Sequence, residues 1–362
     1  MPTRFWLALL LFAAPAAAQD AEPAAPDEPG VRYGAEFLAT GVGARALGMG
    51  GAVVAHVGDV TAGYWNPAGL DGLRQTEGAY MHAERFDGAV SFDYAAVAVP
   101  LSDRSTVAVT LVRSAVDDIA NTLDALDPAT GLPRPDAADY ITYFSAADHA
   151  LFLSYARRVS DALSVGASAK VVQRGIGDFA SAWGYSLDVG AQLDLGGVAL
   201  GIAVQDATTM NQVWSIDEAL FEQLEGDERP LGLDTRVRPV LRLGAASARS
   251  LGADVALTLA ADLDVAFDGF AANALNTGDV SYHPRVGGEV VYRDVLAFRA
   301  GLSDLTTNED YGTQVTPSVG AGVRLGALSV DYGFGDFGGL TGELGQSHRV
   351  SVAYRFGEPR GR

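Results

Sequence analysis

The chain has 362 residues, 48% of them hydrophobic, with no cysteine and a formal net charge of −20. That acidity excludes nucleic acid as an expected partner, because phosphates require Lys and Arg, and the missing cysteine excludes a disulfide framework and a lipoprotein anchor. No stretch reaches the roughly 20 apolar residues of a membrane-spanning helix, so a membrane crossing would have to be a closed β-barrel.

Residues 1–18 read as a secretory signal. Arg4 gives a positive start, Phe5 to Ala14 an apolar run, and Ala16-Ala17-Ala18 a small-residue cleavage site. Residues 19–32 are rich in Pro, Ala and acid and read as a disordered linker. Residues 33–73 are dense in glycine: Gly41, Gly43, Gly48, Gly50 and Gly51 flank Arg45, and Tyr64-Trp65-Asn66-Pro67 comes next. Glycine lets backbone pack on backbone and reach positive φ at no steric cost. Such a segment is expected to thread a tight space, which here is the lumen of a barrel. Gly41-Val-Gly43-Ala-Arg-Ala46 also fits a dinucleotide fingerprint formally, but that motif needs a βαβ unit around it. The rest of the chain reads as antiparallel β, so no nucleotide site is expected.

From Glu77 onward a period of two dominates. In 254–265, Val255, Leu257, Leu259, Ala261, Leu263 and Val265 alternate with Asp254, Ala256, Thr258, Ala260, Asp262 and Asp264. One apolar and one polar face is the strand signature. A soluble sandwich shows the same pattern with its apolar face inward; a barrel in lipid inverts it. Three features select the barrel. The segments are about ten residues long, against the five or six of soluble strands. Aromatics such as Tyr80, Tyr155, Trp183, Tyr185, Tyr292, Tyr354 and Phe356 gather near segment ends. The links alternate short and long, except that the first, near Asp87-Gly88, is also tight. Fourteen strands are expected, near 77–86, 89–100, 104–113, 148–159, 163–174, 182–194, 197–205, 238–247, 252–264, 282–293, 295–304, 314–325, 327–336 and 347–356. The fold class is therefore all-β, a transmembrane antiparallel barrel over 74–356 in a bacterial outer membrane, with a short periplasmic tail at 357–362. Leu257 should face lipid and Thr258 the lumen.

The long links form the expected contact surface. The 114–147 link carries Asp117, Asp118 and Ile119. The 206–237 link carries Trp214 and Phe221, and Ile216, Leu220 and Leu224 stand at helical spacing. Such a stripe could dock a partner, meet a lipid-like ligand, or close onto the barrel mouth as a lid. No G-x-S-x-G occurs, and the five histidines stand at no metal-ligand or catalytic spacing. No enzyme, metal or cofactor is expected.

Residues 35–73 resemble the PorV/PorQ family of outer-membrane proteins, within the wider FadL-like barrels. The likeness is carried by Phe37-Leu38, by Gly41-Val-Gly-Ala-Arg-Ala-Leu-Gly-Met-Gly-Gly-Ala52, by the stretch holding Asp59, and by Tyr64-Trp-Asn-Pro-Ala-Gly-Leu70. The ending Ser347 to Phe356 is also similar to family C-termini. The resemblance implies a fourteen-stranded barrel with an N-terminal plug or hatch made by Gly41, Gly43, Arg45, Gly48, Gly50, Gly51, Asn66 and Pro67. Arg45 would pair with a lumenal Asp, and Asn66-Pro67 would set a tight turn. The leading expectation is a role in type IX secretion, with secreted cargo proteins and other secretion-system components as partners. The alternative is a FadL-like channel for a hydrophobic ligand, such as a long-chain fatty acid or an aromatic compound; a purely structural barrel is the third.

Overall fold

The runs of alternating sequence become the wall of a closed barrel. A computed structural model describes residues 35–86, 88–127, 130–221, 235–267, 275–308, 312–336 and 346–358. The signal and linker expectations, Leu224, and the end of the tail lie outside the described residues.

Seventeen strand pieces form one sheet: β1 Thr76–Arg85, β2 Val90–Ser102, β3 Ser105–Asn121, β4 Thr142–Arg158, β5 Leu163–Ile176, β6 Ala180–Asp194, β7 Ala199–Gln205, β8 Met210–Ile216, β9 Thr235–Val237, β10 Val240–Leu251, β11 Val255–Ala266, β12 Asn276–Thr277, β13 Val280–Tyr292, β14 Leu296–Asn308, β15 Gly312–Leu325, β16 Leu328–Asp336 and β17 Gln346–Phe356. They make fourteen wall strands. β7 and β8 share the far edge of β6 and are one interrupted strand. β9 pairs with β8 and β10 with β7, and together they are the next. β12 is a hairpin extension on β13. Every pairing is antiparallel, and β1 closes the ring on β17, from Thr76 opposite Phe356 to Glu84 opposite His348.

Alternation sets the two faces. On β11, Leu259 is 56% exposed, while Ala260, Asp262 and Asp264 are buried. Leu257 and Thr258 fall on the expected outer and inner faces. Val97, Val109, Leu111, Leu153, Leu187, Phe298, Val319 and Val350 face out, with Tyr80, Tyr155, Trp183, Tyr185, Tyr292 and Tyr354 among them. Ten residues at about 3.3 Å rise and roughly 40° tilt give about 25 Å of height, the thickness of a membrane band. A closed barrel has no unpaired edge, which is the condition for β-strands to cross lipid. The apolar exterior and the closure place the protein in a bacterial outer membrane.

The links differ in three places from the sequence expectation. β3 extends to Asn121 and β4 begins at Thr142, so Asp117, Asp118 and Ile119 lie on a strand rather than a loop. The register shifts between Val116 and Ile119, and Asp118 takes a positive φ of 57° there, as a bulge residue. Trp214 and Ile216 are on β8, opposite Ala182 and Ala180. The helix suggested by the spacing of Ile216, Leu220 and Leu224 does not form over its described part. Glu218–Phe221 is one 3-10 turn, started by Asp217, whose carboxylate accepts from the Ala219 amide at 3.1 Å. The free edge of β6 offers ladder hydrogen bonds to 210–216, and a short helix offers fewer.

Candidate functional site

The site is built from residues 35–73 and the inner wall that they touch. The segment contains two short helices, α1 Ala44–Gly48 and α2 Ala62–Trp65, and 3-10 turns at Glu36–Thr40 and Pro67–Gly72. α1 packs against β14 to β17, and the Pro67–Gly72 turn against β3 to β6. Nearly all its apolar side chains are buried.

Glycine makes this fit possible on both partners. Gly50 has φ 64°, and a Cβ there would stand 2.8 Å from the Leu302 carbonyl oxygen. Gly41 has φ 71°, and its Cβ would enter the Trp65 ring at 2.6 Å. Facing them, Gly166, Gly190, Gly201, Gly287, Gly301 and Gly333 on the wall leave room for Pro67, Asn66, Val54, Met49, Gly50 and Ala44 in turn. These wall glycines went unrecognised in the sequence. Their signal was glycine at inward positions of otherwise regular strands.

Polar groups then fasten the segment. Asp262 Oδ2 accepts from the Val53 and Val54 amides at 2.7 and 2.9 Å. The Ala44 amide donates to Ser351 Oγ at 2.8 Å, and the Gly50 amide to Ser318 Oγ at 3.1 Å. Arg349 donates to the carbonyls of Thr40 and Gly41 at 2.7 and 2.9 Å. Asn66 caps the turn after it by accepting from the Ala68 amide, and its amide group donates to Val54 O and Ala191 O. Pro67 takes the first position of that turn. Arg158 Nε donates to Asp71 at 2.8 Å, where the segment enters β1.

Arg45 pairs with a glutamate rather than a wall aspartate. Its Nε and Nη2 grip Glu289 at 3.0 and 2.9 Å, and Nη1 lies 3.5 Å from Asp59 of its own segment. Glu289 also accepts from Arg299 at 2.6 Å, which reaches Asp331 at 2.7 Å. Signs thus alternate along Asp59, Arg45, Glu289, Arg299 and Asp331. This pairing raises the Arg45 pKa above its ordinary value, against the opposing effect of burial, the largest single influence. A second lumenal ion group joins Lys170 to Asp188 and Asp206 at 3.2 and 2.7 Å, beside the break between β7 and β8.

A cavity of about 360 Å³ lies between the segment and the short-turn ends of the wall, lined by Arg45, His56, Asp59, Glu77, Glu289 and Arg355 among others. Burial, then the charge of Arg45, lower the His56 pKa to about 4; Glu289 and Asp59 oppose the shift. Both His56 ring nitrogens are buried and have no hydrogen-bond partner among the described residues. A smaller cavity, about 60 Å³, lies on the other side of the segment.

The wall of the lumen is divided. On β1 to β5 the inward face carries an apolar patch, including Met81, Phe92, Tyr94, Val112, Phe152 and Val172, which Met210 of β8 joins, beside buried polar groups such as Glu77, Thr110, Ser154 and Lys170. Tyr64 and Trp65 of the segment cover this face, with Tyr64 edge-on to Phe152 at 6.0 Å. From β10 to β17 the inward face is dominated by charge, with Arg242, Asp262, Asp264, Glu289, Arg299 and Arg349 buried on it. The other histidines sit elsewhere: His82 against Asp93, His149 against Gln173, His348 against Tyr332 and His283 near Ser281. Among the described residues no group of three or more His, Asp or Glu is placed to hold a metal. Of the expected loop contacts, Trp214 and Ile216 are partly buried on β8 and Leu220 is exposed. Nothing is described of the Phe221 side chain.

The architecture has solved counterparts. The monoaromatic hydrocarbon channel CymD is similar at a TM-score of 0.56 and 15% identity, over 88% of this chain and 98% of that one. The toluene transporter TbuX of Ralstonia pickettii is similar at 0.54 and 14% identity, over 88% and 99%. A FadL homologue from Pseudomonas aeruginosa is similar at 0.50 and 14%, over 87% and 98%. The fold is that of the FadL-like barrels. At such identity the likeness is one of fold alone. No protein-family model matches the chain, and no curated protein sequence matches it.

Proposed function

We propose that this barrel conducts hydrophobic small molecules across the outer membrane, with residues 35–73 as the plug that gates them. The observation that carries this reading is the apolar patch on the inner wall of β1 to β5. Water-filled barrels line their lumen with polar residues. Here Met81, Phe92, Phe152, Val172 and Met210 join apolar side chains of the segment in one buried cluster. Withdrawal of Tyr64 and Trp65 would leave a greasy strip along the lumen, suited to an aromatic or acyl ligand. CymD and TbuX, which share this fold, carry monoaromatic hydrocarbons and toluene by name, and that supports the same reading.

The test is uptake of radiolabelled toluene and of a long-chain fatty acid by cells with and without the protein. Faster uptake of either is expected. Converting Phe152 to Asp should abolish that gain while the barrel still folds. Equal uptake with and without the protein would contradict the reading.

A role in type IX secretion is the second reading, favoured by the PorV/PorQ likeness of residues 35–73. It would use the long-link end, where Leu132, Tyr143, Val213 and Leu220 are exposed. Secreted cargo and other secretion components would be the partners. Deleting 122–141 should then block surface display of cargo without unfolding the barrel, and unchanged display would count against it.

A further inference from the structure

Arg349 is the largest fully buried side chain of the described residues, 1% exposed on the inner face of β17. Among those residues it has no carboxylate partner. Its Nη atoms are satisfied by Thr40 O and Gly41 O, but its Nε is buried with no acceptor. The charged side chain that acts on it is Arg85, which has the same sign. A buried cation without a counter-charge is costly, and such groups are ordinarily paired.

The 60 Å³ cavity explains the arrangement. It is lined by Arg349, Arg285, Thr40, Thr316, Ser318 and Asp304, with Gly50, Gly51 and Trp65 among the rest. Arg285 contributes a second buried Nε without an acceptor, although its Nη2 lies 3.1 Å from Asp264. Two guanidinium groups therefore line the space against one carboxylate, Asp304, which already accepts from Ser303. The volume suits one small ion with a water, since a water occupies about 30 Å³ in the liquid. Ser318 Oγ accepts from the Gly50 amide and keeps its own proton to donate.

We propose that this cavity binds a small monovalent inorganic anion of halide size, held between Arg349 and Arg285. The ion supplies the missing counter-charge at the point where Arg349 fastens residues 40–41 to the wall. Seating of the segment and anion binding are therefore linked: each favours the other. The site is independent of what the barrel conducts.

Two measurements test it on the full-length protein in detergent. Crystals grown in sodium bromide should show an anomalous bromine peak in the cavity, within hydrogen-bond reach of Arg349 Nε. A cavity without an anomalous peak would overturn the proposal. In thermal melts at equal ionic strength, the native protein should melt higher in sodium chloride than in sodium gluconate, whose anion is too large to enter. A rise on the order of 2 °C or more is expected, and Arg349→Gln should lose it. The same salt response in both proteins would also overturn the site.

Discussion

Single side chains on the segment carry measurable consequences. His56 is neutral in the folded lumen, with its pKa lowered to about 4 from 6.5. Released into water it regains the ordinary value and takes up a proton below about pH 6.5. The released state therefore binds more protons between those two values, and seating of the segment weakens as pH falls from about 6.5 to 4. The loss reaches up to about 3 kcal/mol and levels off below the lower value. Hydrogen exchange of the Val53–Thr61 amides at pH 7 and pH 4.5 should show the loosening, and His56→Gln should remove most of the pH dependence. Arg45 gives a second handle. Replacing it with Met leaves Glu289 buried beside Arg299 alone and should cost about 2–3 kcal/mol of segment seating, since breaking a buried pair strands the other charge. Proteolysis of the segment reads that loss; unchanged protection would contradict the pairing. Arg45 was legible in the sequence as a lumenal cation. Its partner was not, because Glu289 lies 244 residues away and nothing local links the two. Arg349 was hidden for the same reason: in sequence it is one more polar position on an alternating strand.

Strands were the most legible elements, because a period of two with short and long links in turn leaves little freedom in the wall. The inversion of faces is testable on β11. Leu259→Arg places a charge in the lipid band and should destabilise the barrel by about 2–4 kcal/mol, whereas Thr258→Arg, on the lumenal face beside Glu289, should cost much less. Equal effects in urea unfolding would contradict the assignment of faces. Over its described part, the helix expected after Ile216 gives way to a strand end and a 3-10 turn. The spacing of Ile216, Leu220 and Leu224 is a helical pattern, but 210–216 also alternates, and the open edge of β6 decided between them. The strand ends at Asn121 and Thr142 are equally hard to see in the sequence, since Asp117-Asp118 looks like a turn; the chain absorbs it as a bulge. The wall glycines make a further prediction. Gly301→Val would drive a side chain into the Met49–Gly50 backbone and should unseat the segment without disturbing β14. Increased protease access at 44–51 with unchanged barrel thermal stability is the expected pair of results.

At the scale of the whole molecule, the lumen has two different sides and one segment between them. Charged and polar side chains on β10 to β17, with Arg158 of β4, fasten the segment, and an apolar patch on β1 to β5 lies beneath its aromatic residues. Composition gave no sign of this division, because inward positions alternate with outward ones on every strand and only the register sorts them. The most direct test is to lock the segment to the wall. The native chain has no cysteine, so Ala44→Cys with Ser351→Cys creates a single disulfide where the Ala44 amide meets Ser351 Oγ at 2.8 Å. Toluene uptake would be measured in cells bearing this variant before and after a thiol reductant. If the segment gates the lumen, uptake is low when the bond is formed and reaches the native rate once it is reduced. Native rates in both states would mean that the segment need not move, and would contradict gating.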